Sequence, residues 1–532
     1  MGHGRLHAAF AVGRGGHGPA VPDDATPRGG RPVPGDRTWH RPATDREPAM
    51  SWPLRSAQVK RLRRAHSVLG LTLAGLLYVI CLSGALAVFH EALERWEQPQ
   101  LPESPTYSAP QLAHAVDRFL AETATPPDEL FVALPSASLP RMRLSADGHE
   151  RYVTSSGTLD AAPADSWTHL LVHLHTVLLL PETAGLIVTG SIGALLCALI
   201  LNGLLSHPNL VKDLFRWRRD RSEVLHHTDL HNRLGVWGSP FFLMFGLTGA
   251  FFGLIGVLVA AGAERWFDGD RDALIASVYG ADIQVVGAPP QIDFQQTLDE
   301  MARLAPDATP IYLMIHRPGT ERQFVEVGAT LPGRLIYSEI YRFDASGTPL
   351  GHQGLSDGPL ARQIAYSVYR LHFGHFGGWA SKLLYGVLGL ALAWVCVSGV
   401  NIWLARRDHR SVVNGLWDGL VWGTPIALAA SAMTALLEGP AQAVLLATLA
   451  LLPTAAGALP GRLGPVPLRG LLALCLVALA GVHAWRFGID QPPVVVAING
   501  ALCASALCLT GPLLAARRRR PRATTALGAP EG

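Results

Sequence analysis

Four long apolar stretches, each with a histidine at its start, dominate the hydropathy pattern of the chain. The first begins at His66 and the third at His231, while the second contains His175 and the fourth follows His372. Each stretch is as long as the roughly 18–20 apolar residues that cross a bilayer. The pattern predicts membrane spans at about 66–90, 171–205, 231–262 and 376–404.

Four further apolar runs follow Arg410, and His483 is the only histidine in them. They are rich in Ala and Leu, and they predict additional spans near 416–436, 440–459, 468–485 and 493–515. The whole chain is 49% hydrophobic and 16% charged, which is too apolar for a soluble protein of this length. The predicted fold class is therefore a mainly α, multi-pass membrane protein.

The third stretch repeats the first, and the fourth repeats the second. His66 aligns with His231, and His175 aligns with His372. The other matches, two of them after a one-residue slip, are Gly70 with Gly235, 83–85 with 248–250, Gly193 with Gly389, and 202–203 with 398–399. The repeats predict a duplicated two-helix unit whose four helices form one bundle.

A polar loop joins the two helices of each unit, and the two loops share one order of elements. Each has a predicted helix, Pro110–Ala121 or Asp293–Leu304. Short runs rich in β-forming residues follow each helix. They lie at Leu130–Leu134, Arg141–Leu144 and Arg151–Thr154, and at Ile311–His316, Gln323–Val327 and Ile336–Phe343. The loops therefore predict two outer α+β modules, 97–166 and 264–368.

These elements divide the chain into four parts. Residues 1–49 are rich in Gly, Pro, Arg and His and predict a disordered segment, so Met50 is an alternative start. The first repeat is 50–221 and the second is 222–410. Residues 411–532 form a C-terminal helical extension of about four spans with a basic tail.

The basic residues lie at the ends of spans, although the net charge is only +3. Examples are Lys60 to Arg64 before the first span and Arg517 to Arg520 at the end. This placement follows the positive-inside rule. It predicts a bacterial inner-membrane protein with both termini in the cytoplasm and both loops in the periplasm, in contact with lipid and not with nucleic acid. All six cysteines lie in apolar runs, which argues against disulfides and cysteine metal sites.

A histidine within a membrane span is costly and usually has a function. His66 and His231 are predicted at the cytoplasmic face, and His175 and His372 at the periplasmic face. Two such pairs suit two b-type haems, because each haem iron takes two axial imidazoles from facing helices. Gly70 and Gly235 lie one turn after their histidines and would leave room for the macrocycle.

Other interpretations of these histidines stay open. His173 and His375 are alternative ligands, and only the orientation of the helix separates His173 from His175. Interfacial histidines that bond to the backbone need no metal. Structural zinc takes four ligands placed close together, whereas these four are divided between two membrane faces.

Several of these segments together resemble the PepSY-associated transmembrane family. They are RAHSVLGL (64–71), LH (174–175), HNRLGVW (231–237), LTGA (247–250) and LHFGHFGG (371–378). The resemblance covers about residues 55–410, and its motifs are specific as an ordered set. It implies PepSY-like outer modules and haem-iron ligation by His66, His175, His231 and His372.

The resemblance also implies an iron-regulated inner-membrane protein similar to ferric-siderophore reductases. Such a protein passes electrons from the cytoplasmic side or the quinol pool to a periplasmic acceptor, expected here to be a ferric siderophore. The electron donor is unidentified, since no nucleotide-binding motif follows a strand. The alternatives are a non-enzymatic scaffold or sensor that presents the outer modules, and a transporter. The C-terminal helices lie outside the resemblance.

Overall fold

The computed structural model describes residues 55–518 apart from 124, 162–165, 208–222, 280–282, 284, 290 and 408–410. The predicted disordered segment 1–49, the basic segment 212–221 and most of the C-terminal arginines therefore lie outside the described residues. Within the described ranges the fold is mainly helical. Eight of its helices are long and apolar enough to cross a membrane, as the sequence predicted.

Counted over the described residues, here and for the second repeat, the first repeat contains five helices and four strands. They are α1 (Ser56–Ala87), α2 (His90–Glu97), α3 (Ala109–Glu122), β1 (Glu129–Ala133), β2 (Met142–Ala146), β3 (His149–Val153), β4 (Leu159–Ala161), α4 (Trp167–Val177) and α5 (Glu182–Leu205).

The second repeat contains five further helices and four strands. They are α6 (Glu223–Trp266), α7 (Arg271–Tyr279), α8 (Phe294–Leu304), β5 (Thr309–His316), β6 (Phe324–Thr330), β7 (Glu339–Asp344), β8 (Pro349–His352), α9 (Leu360–Phe373) and α10 (Gly378–Leu404). The C-terminal unit contains α11 (Val412–Leu436), α12 (Ala441–Ala458), α13 (Pro465–Phe487) and α14 (Pro493–Arg518).

The predicted second span is two helices rather than one. α4 ends at Val177, and α5 begins only after Pro181. Leu178 and Leu179 have φ angles of 54° and 58°, which bulky residues rarely adopt and which end a helix. His175 therefore lies on a separate short helix before the span. In the second half, Gly374 with a φ angle of 69° ends α9 in the same way before α10.

Helices α1, α5, α6 and α10 pack around one another as a four-helix bundle. Glycines let the backbones approach closely where α5 crosses α6. A Cβ atom on Gly190 would lie 2.8 Å from the backbone of Gly253, and one on Gly193 would lie 2.9 Å from Gly246 O. Close contact between small residues is the usual basis of helix association in lipid, where burial of apolar surface gives no driving force.

The two predicted outer modules share a single eight-stranded sheet. Its order is β4-β3-β2-β1-β5-β6-β7-β8, so each repeat contributes one half. β1 and β5 pair antiparallel at the seam, with Phe131 opposite Met314. Helices α3 and α8 cover one face, where Leu130, Leu313 and Phe343 are fully buried. The sheet therefore closes the duplicated unit on the side of the bundle where α1 ends.

The seam between the repeats supplies the first test. Replacing Leu313 by Ala should destabilise the sheet by about 2–5 kcal/mol, because the side chain is fully buried under α3 and α8. Amide exchange of β1 and β5 in detergent measures this effect. Met314→Ala is the matched control, since Met314 is the next residue on the opposite, partly exposed face. Equal effects of the two variants would contradict the assigned core.

Candidate functional site

The structure brings the four predicted histidines together as two pairs, each joining the two repeats. We call His66 and His231 the distal pair, and His175 and His372 the sheet-side pair. In both pairs the imidazole centroids lie 6.2 Å apart. The ring planes make an angle of 79° in the distal pair and 28° in the sheet-side pair.

The two pairs lie at different depths of the bundle. Both depths can be read along α1. His66 is itself a residue of α1, and the ring of His175 contacts the carbonyl of Ile80, further along α1. The 14 residues between His66 and Ile80 correspond to roughly 21 Å at 1.5 Å per residue. The pairs are therefore separated by much of the bilayer thickness.

Three of the four rings are anchored by a backbone carbonyl of a neighbouring helix. The Nδ1 atoms of His66 and His175 lie 2.9 Å from Leu199 O and Ile80 O. The Nδ1 atom of His231 lies 3.0 Å from Val395 O. A carbonyl only accepts hydrogen bonds, so each of these rings carries its proton on Nδ1 and keeps the lone pair on Nε2.

The fourth ring is anchored by a hydroxyl. The Nδ1 atom of His372 lies 2.7 Å from Thr248 Oγ1, and this hydroxyl donates to Met244 O at 2.6 Å. Because its proton is already committed, Thr248 accepts from Nδ1–H of His372. All four imidazoles therefore present the same tautomer, with Nε2 as the available ligand atom.

A glycine packs against each of the four rings. Gly203 faces His66, Gly84 faces His175, Gly399 faces His231 and Gly249 faces His372; each would-be Cβ lies 2.5–3.6 Å from the Cε1 atom of the ring.

Three of these glycines lie four residues after the carbonyl that anchors the same ring. Gly84 follows Ile80 by one turn, and Gly203 follows Leu199 by one turn. Residues four apart lie on the same helix face, so a side chain at the later position would cover the carbonyl. The absence of a side chain therefore exposes the carbonyl to the imidazole. The comparison of the two repeats pairs Gly84 with Gly249 and Gly203 with Gly399, but the sequence alone assigns these glycines no role.

The alternative ligands lie outside both pairs. The ring of His173 has His169 as its neighbour on α4, at 5.2 Å. The ring of His375 lies 6.2 Å from that of His90. The imidazole neighbours of these two rings are thus His169 and His90, and not a histidine of either pair. The register of α4 thus directs His175, and not His173, toward His372.

Aromatic side chains surround the sheet-side pair. Phe252 and Phe373 both lie 5.6 Å from the ring of His372, and Tyr369 stacks on Phe373 at 4.4 Å. Phe252 lies in the middle of an apolar run, so its residue type and position in the sequence do not indicate that it faces a histidine.

Arg370, an interfacial arginine beside this site, is engaged by the backbone. Its guanidinium donates to His375 O at 2.9 Å, to Arg334 O at 2.6 Å and to Ile336 O at 3.3 Å. These bonds tie the end of α9 to the segment before β7. Arg370 therefore fixes the helix that carries His372.

The arrangement of each pair fits two axial ligands of one metal ion. Two imidazoles that bind a metal from opposite sides, with metal–nitrogen bonds of about 2.0 Å, have ring centres roughly 6 Å apart. The observed 6.2 Å agrees with this distance in both pairs. Each pair supplies two ligands, whereas structural zinc takes four.

The comparisons with known proteins agree in extent with the duplicated unit. A family model described as the PepSY-associated TM region matches residues 63–406, which include both histidine pairs and end before α11. An uncharacterized protein of Pseudomonas aeruginosa is 30% identical over 366 residues, covering 63% of this chain and 85% of that protein. Its description gives no activity to compare.

The glycine contacts supply the second test. Replacing Gly84 by Ala should destabilise the protein by about 1–3 kcal/mol, because the new Cβ would lie 2.5 Å from Cε1 of His175. Gly256→Ala on α6 is the control, since Gly256 is exposed and a Cβ there would meet nothing within 4 Å. Ala is the better helix former, so this control should be neutral or stabilising. The midpoint of thermal unfolding in detergent measures both, and a harmless Gly84→Ala would contradict the contact.

Proposed function

Since the chain belongs to the PepSY-associated TM family, we propose that it transfers electrons across the bacterial inner membrane through two b-type haems. His66 and His231 would hold one haem, and His175 and His372 the other. The acceptor would be a periplasmic ferric siderophore, which makes the protein a haem-dependent ferric-siderophore reductase. The donor would be quinol or a protein on the cytoplasmic side.

One observation carries this proposal: the two inter-repeat imidazole pairs with matching centroid distances. Each pair has the separation that bis-histidine ligation requires, and each ring has its Nδ1 proton bonded to a neighbouring helix. Such bonds orient a ligating histidine and raise its basicity. The rings of His90 and His375 also lie 6.2 Å apart, so the separation alone does not distinguish a ligand pair. The Nδ1 bonds to a neighbouring helix do, because Nδ1 of His90 lies against Ala87 O, only three residues earlier in the chain.

Charge placement supports the orientation. Lys60, Arg61 and Arg64 lie on the first turns of α1, on the side of the distal pair. Arg406 and Arg407 directly follow α10 on that same side. By the positive-inside rule this side would face the cytoplasm, and the sheet would lie in the periplasm.

When bound, haem would supply reversible one-electron chemistry at both faces of the bundle. The protein's own residues would set the conditions for that chemistry. The carbonyls of Ile80, Leu199 and Val395 would hold the ligand tautomer, and Phe252 and Phe373 would exclude water from His372. Together these contacts fix the basicity and burial of the site, which tune a haem's reduction potential.

The chemistry at the acceptor would be the gain of one electron by ferric iron. Iron(III) is a harder cation than iron(II) and binds oxygen ligands of a siderophore more tightly. Reduction would therefore weaken the complex and release the metal on the sheet side of the membrane.

The third test is the absorption spectrum of the detergent-purified protein, with a pyridine haemochrome to count haems. We expect close to two b-type haems per chain and sharp α-bands after reduction with dithionite. His66→Ala or His231→Ala should remove one haem, and His175→Ala or His372→Ala should remove the other. His173→Ala and His375→Ala, the matched controls, should leave both.

A colourless protein from haem-replete cells would overturn the proposal and favour a scaffold or transporter. If His173→Ala loses a haem and His175→Ala does not, the ligand on α4 would be His173 and not His175.

The fourth test uses the two ring angles. The EPR spectrum of a low-spin ferric haem depends on the angle between its axial imidazole planes, being highly anisotropic near 90° and rhombic for small angles. The distal pair at 79° should give the highly anisotropic signal, and the sheet-side pair at 28° the rhombic one. His66→Ala should abolish the first signal and His175→Ala the second. Two identical signals would contradict the ring geometry.

A further inference from the structure

The four C-terminal helices lie beyond the part of the chain that the family model matches, and the proposed function does not use them. Through α11 they pack on α1 and α10 of the bundle, where Tyr78 donates to Val421 O and Trp417 donates to Asn401 Oδ1. They also contact α2 and α4. α2 is a helix of eight residues, and α4 carries His175. Their contacts with the C-terminal unit are polar as well as apolar, which is unusual within a membrane protein.

A closed ring of hydrogen bonds joins α2 to α13 and α14. The indole Nε1 of Trp96 donates to Asn499 Oδ1 at 2.9 Å. The amide nitrogen of Asn499 donates to His483 Nδ1 at 3.1 Å, and His483 Nε2 donates to Trp96 O at 2.8 Å. The rings of Trp96 and His483 also stack at 4.8 Å.

The three bonds fit one orientation of the Asn499 amide and one tautomer of His483. His483 is 0% exposed and Trp96 is 2% exposed, whereas Asn499 is partly exposed. Hydrogen bonds between buried groups are strong in a low dielectric and favour one arrangement of the elements they join. The ring therefore fixes where α2 lies on the C-terminal unit.

The C-terminal unit also covers α4 directly. The indole of Trp167 donates to Ser431 Oγ of α11 at 3.0 Å. Leu171 and Leu174 are buried in the same core as Leu428 and Leu479 of the C-terminal helices. Trp167, Leu171 and Leu174 lie on one face of α4, so this face is packed along its whole length.

Glu97, the last residue of α2, binds the N-terminal end of α4. Its carboxylate accepts hydrogen bonds from Trp167 N at 2.5 Å and from Thr168 N at 2.9 Å. It also accepts from the hydroxyls of Ser166 at 2.9 Å and Thr168 at 2.7 Å. A carboxylate at a helix N-terminus satisfies the free backbone N–H groups and complements the helix dipole.

We propose that the four C-terminal helices position His175, acting through Trp96 and Glu97 of α2 and through the packed face of α4. This inference rests on the proposed function, in which His175 is an axial ligand. α4 has only 11 residues and is separated from α5 by Leu178 and Leu179, so it does not inherit the stability of a long span. α1 and α5 hold it on the side of the bundle, and α2 and α11 complete its packing.

In the second repeat, α9 carries His372 and is held by different contacts. Tyr385 of α10 donates to Leu371 O at 2.7 Å. Arg370, near the end of α9, donates to three carbonyls outside that helix. These contacts come from within the duplicated unit. The C-terminal unit thus acts on one of the two ligands of the sheet-side pair, which makes its effect separable by experiment.

The first experiment replaces Trp96 by Phe, which keeps an aromatic ring beside His483 but removes the donor to Asn499. Two quantities are measured: amide exchange of residues 167–177, and the EPR signal of the sheet-side haem. We expect faster exchange in α4 and a shifted rhombic signal, with the distal signal unchanged as an internal control. Trp485→Phe is the matched variant, because Trp485 lies on the same helix as His483 and is 78% exposed.

The second experiment compares Glu97→Ala with Glu97→Gln. Ala removes all four bonds to α4 and should accelerate its exchange by about tenfold or more. Gln keeps one acceptor oxygen and should restore part of the protection and of the rhombic signal. Glu182→Gln, at the exposed first turn of α5, should change neither quantity.

The outcomes separate this inference from the proposed function. If both haems are present but Trp96→Phe and Glu97→Ala leave the exchange of α4 and the rhombic signal unchanged, the positioning role is overturned while the reductase stands. If the wild-type protein holds no haem, the proposed function fails, and the exchange of α4 still decides whether the C-terminal unit holds this helix. Equal shifts of both EPR signals would indicate general destabilisation and would also overturn the inference.

Discussion

The hydrogen bond between an imidazole Nδ1 and a carbonyl inside another helix is the interaction on which the site depends. Helix carbonyls in a membrane already accept a bond from the residue one turn later, and a side chain at that position shields them. Glycine at 84, 203 and 399 removes the shield, so Ile80, Leu199 and Val395 can each accept a second bond. The histidine is thereby satisfied in an apolar region without water.

This constraint explains why the matching positions of the two repeats include glycines as well as histidines. Replacing one of these glycines by alanine would displace the imidazole and break its Nδ1 hydrogen bond, as replacing the histidine itself would. Thr248 shows how the device can vary: its hydroxyl lies between His372 and the carbonyl of Met244, relaying the bond that a carbonyl makes directly in the other three cases. With a hydroxyl in place of a carbonyl as the partner of Nδ1, the Nε2 atom of His372 keeps its lone pair, as in the other three rings.

The sequence was sufficient for the parts of the fold that depend on long periodic patterns. The eight spans and the two soluble helices have positions close to those predicted, because apolar length and helix capping are local signals. Ser108 and Asp293 cap α3 and α8, as their residue types indicate. The association of His66 with His231 and of His175 with His372 followed from the repeat, since duplicated helices meet across a local twofold axis.

Other features required contacts between distant residues. In the described residues five helices, α4 to α8, lie between β1 and β5 along the chain, and nothing local in either strand specifies its partner. The break after Val177 is formed by two leucines with positive φ, a conformation that the residue type leucine does not indicate. The sequence did not predict α2, whose Trp96 is buried in one core with α4 and with C-terminal helices far along the chain.

The duplication gives the two ligands of each pair equivalent positions in the sequence, and the C-terminal unit adds to the differences between them on the sheet side. α6 continues unbroken to Trp266, whereas α1 ends at Ala87 and α2 turns its tryptophan into the C-terminal unit. A duplicated protein begins with two copies of one environment. The C-terminal unit packs on α4, which carries His175, whereas α9, which carries His372, is held by contacts within the duplicated unit. In the proposed function this difference would separate the environments of the two ligands without altering either of them.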